Sequence, residues 1–251
     1  MINRIIKLLL VSVLVSSNSF AAVYNSTQEA STYVIQIARI QFCETGSTAA
    51  NCLNPAEIYQ GESGNIDIAS TTAGEQAAGL GNASKAVIGK TYTYMQVTLN
   101  RAVTISGGGS ATSKSGEACY TNGTDGTAAQ NALGNATSSN EAEATVYMAI
   151  AGTTDNGNNI NSVSAADGSG TVAAAGAITS GHEYMEWRGA LTKPFTLTQG
   201  QLPTVTIAFG TSAALGFYNP DTDNNACATR AGGATTTGFY AAEPDVTITI
   251  E

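Results

Sequence analysis

The cluster of side chains best suited to bind a cation is the acidic segment NPDTDNNAC, residues 219–227. Asp221, Asp223 and Asn225 place oxygen atoms at alternate positions, as calcium-binding loops do. The segment lacks the glycine and the closing glutamate of an EF-hand, and Asn and Asp also form turns without any metal. A calcium site and an ordinary turn are therefore both consistent with this segment. We predict no cofactor, with calcium at this segment as the alternative.

The segment GHEYMEWRG, residues 181–189, holds the only histidine and the only tryptophan of the chain. A zinc-protease helix needs the pattern His-Glu-x-x-His, but the fifth position here is Glu186. In a strand, His182 and Glu186 would share one face, and Met185 and Trp187 would share the other. We predict a core-packed Trp187 beside a solvated row of polar side chains.

The remaining residue types give no clear catalytic site. A serine or cysteine nucleophile usually needs a histidine base, and His182 is the only candidate, while no Gly-x-Ser-x-Gly occurs. Two carboxylates could cleave a glycoside, but only at a set separation. The chain has 19 acidic residues, and the sequence does not show how far apart any two of them lie. We therefore predict that the protein is not an enzyme.

Two tyrosines could contact a ligand on a sheet face. Tyr92 and Tyr94 lie at alternate positions of a strand pattern, on the face opposite the predicted core. Exposed aromatic rings in a row can stack sugars, but they can equally pack against a neighbouring sheet. Together with the acidic loop around Asp221 and Asp223, they suggest an alternative function, a secreted polysaccharide-binding module assisted by calcium.

Four cysteines, Cys43, Cys52, Cys119 and Cys227, suggest two disulfides, with three possible connectivities. Cys43 with Cys52 is the local choice, and it would leave Cys119 to pair with Cys227. No Cys-x-x-Cys spacing occurs, so the cysteines do not predict a zinc site.

The first 21 residues have the pattern of a secretory signal peptide. Arg4 and Lys7 precede an apolar run over 8–15, and Ser19 and Ala21 supply the small residues that signal peptidase requires. The run is too short to span a membrane, and no later stretch is long and apolar enough. We therefore expect an exported protein, at a bacterial cell surface, extracellular or periplasmic, without a membrane span in the mature chain.

Charge and composition narrow the class of partner. The net charge is −9, whereas proteins that bind nucleic acid use Lys and Arg to replace the counterions of the phosphates. A nucleic-acid partner is therefore not expected. Only 12% of residues are charged and 43% are hydrophobic, which is enough to form a core.

Alternating apolar and polar residues predict an all-β fold. The clearest runs are 32–42, 91–105, 144–150 and 204–210. Long loops rich in Gly, Ser and Asn are expected at 107–116, 121–142 and 152–170. These features predict a large antiparallel β-sandwich formed by residues 22–251 as a single domain, with a division near 121–142 as the alternative.

The chain ends on PDVTITIE, residues 244–251. Val246, Ile248 and Ile250 alternate with threonines, which predicts a strand with one apolar face. Because an unpaired strand edge recruits other chains, such a strand must pair or be protected. Pairing within its own sheet, exchange between subunits and capture by a chaperone all remain open.

The terminal segment GFYAAEPDVTITIE resembles the C-terminal strand motif of bacterial pilins, with Gly238 fourteen residues from the end. It departs from that motif at Ile250, where pilins usually carry tyrosine, and at Pro244 and Asp245, which interrupt the strand. The segments GNIDIAS and GKTYTYMQVTLNRAVTISG also resemble exported bacterial β-sandwich domains of unknown function.

The pilin resemblance implies a surface or extracellular structural protein, a fibre subunit that assembles by β-strand complementation. Its partner would be a second copy, in filaments, or another surface component. The expected donor strands are 22–31 and the terminal strand with Val246, Ile248 and Ile250.

Overall fold

The computed structural model describes residues 24–49, 51–70, 80–110, 118–127, 130–135, 138–148, 165–166, 172–173, 183–219 and 238–251. None of these residues lies in an α-helix, and the predicted all-β class is confirmed. Two 3-10 helices cover Ala83–Lys85 and Ser138–Asn140. The strands are β1 (Tyr24–Gln28), β2 (Ala30–Ile35), β3 (Ile37–Glu44), β4 (Ala56–Gln60), β5 (Ile66–Asp67), β6 (Thr91–Asn100), β7 (Ala102–Ser110), β8 (Ala118–Thr121), β9 (Gly134–Asn135), β10 (Ala144–Tyr147), β11 (Ala165–Ala166), β12 (Val172–Ala173), β13 (Tyr184–Thr196), β14 (Val205–Gly210), β15 (Leu215–Asn219), β16 (Gly238–Ala241) and β17 (Asp245–Ile250).

The strands form four antiparallel sheets that share one hydrophobic core. One six-stranded sheet has the order β5-β2-β7-β8-β9, with β10 also paired to β7, and the other has the order β12-β11-β13-β6-β3-β4. A three-stranded sheet, β1-β15-β16, and a two-stranded sheet, β14-β17, complete the described structure. The core between these sheets is that of a β-sandwich, in which facing sheets interdigitate their inward side chains.

Two runs predicted as single strands each divide into two. Run 32–42 breaks at Gln36, between β2 and β3, and run 91–105 breaks at Arg101, between β6 and β7. The halves of each run belong to different six-stranded sheets, so the chain crosses between sheets at both points. The crossings are adjacent, because the N–H of Asn100 donates to the carbonyl of Gln36 at 2.9 Å. Strands that change sheet in this way form the corners of a sandwich.

Arg101 occupies the second crossing and is fully buried. Its Nε donates to the carbonyl of Met148 at 3.0 Å, and its backbone N–H donates to the carbonyl of Glu183 at 2.8 Å. Burial desolvates the guanidinium and so lowers its pKa. The hydrogen bonds offset this cost and hold two neighbouring segments at the corner.

A β-bulge turns Tyr92 into the core. The register between β6 and β3 shifts between Tyr94 and Tyr92, so Thr93 is an extra residue on β6. A bulge interrupts the regular alternation of faces. Tyr92 is fully buried, with its ring centroid 5.5 Å from that of Phe42 and 6.5 Å from that of Phe195. The placement of Tyr92 on the face opposite the core is therefore wrong, and of the two alternatives for this ring, packing rather than an exposed aromatic row holds.

The predicted loops at 107–116 and 121–142 are shorter than expected. Strand β7 continues to Ser110, inside the first predicted loop. Strand β8 ends at Thr121, where the second predicted loop begins, and β9 lies within that loop. In that loop Ala132 exchanges two backbone hydrogen bonds with Phe239 of β16, of 3.0 and 2.8 Å. In the described part of the chain, no helix is long and apolar enough to cross a membrane.

Candidate functional site

The terminal strand β17 pairs with β14 inside the same chain. The six residues of each strand are matched from Val205 opposite Ile250 to Gly210 opposite Asp245. Ile248 is 1% exposed, whereas Val246 and Ile250 are half-buried against the core. The three apolar residues singled out in the sequence therefore belong to the core-facing side of a two-stranded sheet.

The hydrogen-bond pattern identifies an unpaired side of β14. Thr204 and Glu251 exchange two backbone hydrogen bonds, of 2.8 and 3.0 Å. Because bonded and non-bonded pairs alternate along an antiparallel ladder, the main-chain groups of Thr206 and Ala208 also point towards β17. The main-chain groups that point away from β17 belong to Val205, Ile207 and Phe209. No described strand pairs with these three residues, which we call the free edge of β14.

The opposite side of β17 also lacks a main-chain ladder to a described strand. There the hydroxyl of Thr192, in β13, donates to the carbonyl of Ile248 at 3.0 Å. A side chain of β13 thus anchors β17 where a further strand would otherwise add. The pair β14–β17 is held by this contact and by its apolar face, since two strands alone are only marginally stable in water.

Two adjoining cavities lie under the core-facing side of β14, and the larger one extends under β17 to Val246 and Trp187. Both are lined by Ile207 and Phe209 of β14, by Ile35 of β2, and by Ile37 and Met95 at their base. Ile66 and Ile68, in and just after β5, also line one cavity each. We call the space between β14 and β5 the β14 groove.

The larger cavity of the β14 groove is apolar, and the smaller one has a partly polar lining. The larger cavity has a volume of about 60 Å³, and its lining is almost entirely carbon. Water enters a cavity only where polar partners can bind it, so this space favours apolar side chains. Residues 205–210 contain no charged residue and no proline, the residues that commonly protect sheet edges. The β14 groove therefore combines unpaired main-chain groups with sites for apolar side chains.

A second site lies across β13, β6 and β3, where buried polar side chains form a network. Glu186 and Arg188 are 2% and 6% exposed, and Arg188 Nη2 donates to Glu186 Oε2 at 2.7 Å. Arg188 Nε also donates to Gln96 Oε1 at 2.5 Å, and Gln96 Nε2 donates to Gln41 Oε1 at 2.8 Å. Arg39 completes the network through an ion pair with Glu186 at 3.3 Å. The predicted solvated row at Glu186 is therefore wrong, because this face of the sheet is buried.

The electrostatics of this network are dominated by its burial. Burial raises the pKa of the Glu186 carboxyl, although the guanidiniums of Arg188 and Arg39 act in the opposite direction. Arg188 Nη1 and Thr98 Oγ1 are buried without a hydrogen-bond partner among the described residues. The network joins β13, β6 and β3 through a buried carboxylate that pairs with two guanidiniums.

The two disulfide predictions differ in how far the structure describes them. Cys43 and Cys52 are joined, with their Cα atoms 5.1 Å apart. Cys119 is fully buried and is disulfide-bonded. Cys227 lies outside the described residues, and its pairing with Cys119 stays a prediction.

The predicted ligand sites fall mainly outside the described residues. Asp221, Asp223, Asn225 and His182 all lie there, so the calcium loop and the histidine site stay predictions. The described part of the chain contains no group of three His, Cys, Asp or Glu residues that could hold a metal. Trp187 is half-buried against the core, and its Nε1 donates to Glu243 Oε1 at 2.5 Å.

Sequence reasoning missed both structural sites. The sequence contains one indication of the free edge of β14, because run 204–210 has no charged residue or proline to protect an edge. The sequence does not show, however, which strands lack partners. The indication of the buried network was weaker. Gln41 and Gln96 alternate with apolar residues, and solvated side chains on the open face of a strand show the same pattern. Comparison of the chain with protein-family models, with curated proteins and with solved structures found no match.

Proposed function

We propose that the protein is an exported, non-enzymatic structural protein whose copies associate by adding a β-strand to the β14 groove. The observation that supports this most directly is the free edge of β14 beside an apolar groove. Strand addition uses main-chain hydrogen bonds for affinity and alternate side chains for specificity, and the groove offers both. The signal-peptide pattern and the pilin-like terminal segment agree with this function.

The chemistry of the groove defines its occupant as an extended strand with apolar side chains two residues apart. The terminal strand meets this requirement through Val246, Ile248 and Ile250, whereas 22–31 is mainly polar. In the single chain β17 already pairs with β14, and β1 pairs with β15. The donor is therefore a strand of a second copy that has left its own partner and adds at the free edge of β14.

Two proline substitutions separate association from folding. Val205→Pro removes an N–H on the free edge, so it leaves the β14–β17 hydrogen bonds intact and blocks an added strand. Thr206→Pro removes an N–H that faces β17, so it should lower the free energy of unfolding more than Val205→Pro does. Association is measured by sedimentation velocity and by negative-stain electron microscopy, and folding by denaturant-induced unfolding.

We expect the wild-type protein to form oligomers or filaments and Val205→Pro to remain folded and monomeric. If Val205→Pro associates as the wild-type protein does, the free edge is not the docking site. If the wild-type protein stays monomeric at every concentration tested, self-association itself is excluded.

A further inference from the structure

The buried polar network lies on the face of its sheet that points away from the hydrophobic core. Met95 and Val97, which flank Gln96 in β6, belong to the core, so Gln96 points the other way. The network has two rows, and each row takes one side chain from β3, one from β6 and one from β13. The rows are Gln41, Gln96 and Arg188, and Arg39, Thr98 and Glu186. All of these side chains except that of Arg39 are more than nine-tenths buried.

The network carries one more positive charge than negative charge. Its charged groups are the guanidiniums of Arg39 and Arg188 and the carboxylate of Glu186, which pairs with them at 3.3 and 2.7 Å. The row of Gln41 continues to Glu57 in β4, but Glu57 is exposed, so solvent and salt screen its charge. One positive charge therefore lacks a buried counter-charge among the described residues, and burying such a charge is unfavourable.

Two hydrogen-bond donors of the network lack an acceptor. Arg188 donates from Nε to Gln96 and from Nη2 to Glu186, but its Nη1 has no partner in the described part of the chain. The hydroxyl of Thr98 has none either. Buried donors are almost always paired, because an unpaired donor has lost its bonds to water and gained nothing in return. The network thus lacks acceptor atoms as well as negative charge.

Both unpaired donors belong to the same part of the network. Thr98 lies between Arg39 and Glu186 of the neighbouring strands, so the ion pair between those two residues passes over its hydroxyl. Arg188 reaches Glu186 with Nη2, so its guanidinium extends from its own row into the row of Thr98. The side chain of Arg39 is 29% exposed, so this part of the network is reached from solvent.

We infer that the network binds one small monovalent anion, with Thr98 Oγ1 and Arg188 Nη1 as its donors and Arg39 at its solvent side. A single negative charge balances the excess positive charge, and an anion accepts hydrogen bonds without adding donors that need partners. A water molecule would satisfy the donors but leave the charge unbalanced. Chloride and the carboxylate of a short organic acid share this chemistry. The inference does not depend on strand addition at β14, which involves another part of the molecule.

Anion-dependent thermal unfolding tests the inference. The Tm of the wild-type protein and of Thr98→Val is measured while sodium chloride, or sodium acetate, replaces sodium gluconate at constant total salt, because gluconate is too large for a buried site. An anion that binds only the folded state stabilises it by mass action, so the wild-type Tm should rise and then saturate with the anion that binds. Thr98→Val keeps the shape of the side chain but removes one donor, so it should bind the anion roughly tenfold more weakly.

Thr98→Val also fixes the sign of the effect. Replacing an unpaired buried hydroxyl by a methyl group is neutral or stabilising, so in gluconate the variant should be at least as stable as the wild-type protein. In saturating chloride or acetate the wild-type protein should be the more stable of the two. If neither anion raises the wild-type Tm more than it raises the Tm of Thr98→Val, the inference is overturned.

Two further variants separate the charge from the general effect of salt. Arg39→Met removes the excess positive charge, so the Tm of this variant should no longer depend on the anion. Thr104→Val is the matched control, because Thr104 is a partly exposed threonine of β7 in the other six-stranded sheet, and it should keep the full anion dependence. Full anion dependence in Arg39→Met, or its loss in Thr104→Val, would also contradict the inference.

Discussion

The buried side chain of Tyr33 connects strands that are far apart in the sequence. It is fully buried in β2, and its hydroxyl donates to the carbonyl of Ala242 at 3.0 Å. This bond joins β2 to the segment just before the terminal strand. Such a buried hydroxyl contributes both by its hydrogen bond and by satisfying a carbonyl that would otherwise be buried without a donor.

The environment of Tyr33 predicts a loss of stability at alkaline pH. Burial, with a smaller contribution from Glu243, raises the pKa of Tyr33 above its ordinary value of 10.0. The folded state therefore keeps the phenol neutral where the unfolded chain ionises. This contribution to stability is complete below pH 10 and is lost as the pH rises further, at about 1.4 kcal/mol per pH unit.

Denaturant-induced unfolding of the wild-type protein and Tyr33→Phe, at about pH 8 and about pH 11, measures this contribution. The variant should be less stable at the lower pH by about 1–3 kcal/mol, because the Ala242 carbonyl loses its donor. The gap between the two proteins should narrow at the higher pH. An unchanged gap would show that Tyr33 does not titrate with unfolding.

The Glu186 network predicts unequal roles for its two arginines. Arg188→Met leaves the buried Glu186 carboxylate with only Arg39, and we expect a loss of about 3–5 kcal/mol in the free energy of unfolding. Arg39 is 29% exposed and 3.3 Å from Glu186, so Arg39→Met should cost about 1 kcal/mol or less. Because the pKa of Glu186 is already raised, protonation at acid pH should reduce the cost of Arg188→Met. Equal losses for both variants at neutral pH would contradict this account.

At the scale of the elements, alternation predicted most of the strands correctly. Runs 204–210 and 245–250 correspond closely to β14 and β17, because each has one core-facing side and no irregularity. The boundaries at Gln36 and Arg101 were missed, since a strand that bends into a second sheet keeps its alternation through the corner. Tyr92 was placed on the wrong face because a bulge at Thr93 depends on the register with β3 and leaves no signature in the alternation.

The candidate sites depend on pairing between strands far apart in the sequence, which local pattern does not encode. Glu186, Gln96 and Gln41 come from three strands, and each looks like an ordinary solvated residue on its own. All three are nevertheless buried in the folded chain. The sequence did supply the residues of the terminal strand and the Cys43–Cys52 pair, because strand alternation and a short loop are local properties.

At the scale of the whole molecule, the β14 groove is the surface on which the proposed assembly depends. Its apolar side chains, Ile207 and Phe209, pack against the core of the single chain. The main-chain groups of Val205, Ile207 and Phe209, by contrast, bond to no described strand. These main-chain groups are therefore the part of β14 that is open to a strand of a second copy.

The exchange of individual backbone amides with deuterated water, followed by NMR, tests strand addition at β14 most directly. In the dispersed protein, the amides of Val205, Ile207 and Phe209 should exchange faster than those of Thr206 and Ala208, which bond to β17. At concentrations where the protein associates, the first three should become protected. If they exchange equally fast in the associated protein, no strand has added at the free edge, and the proposed assembly is wrong.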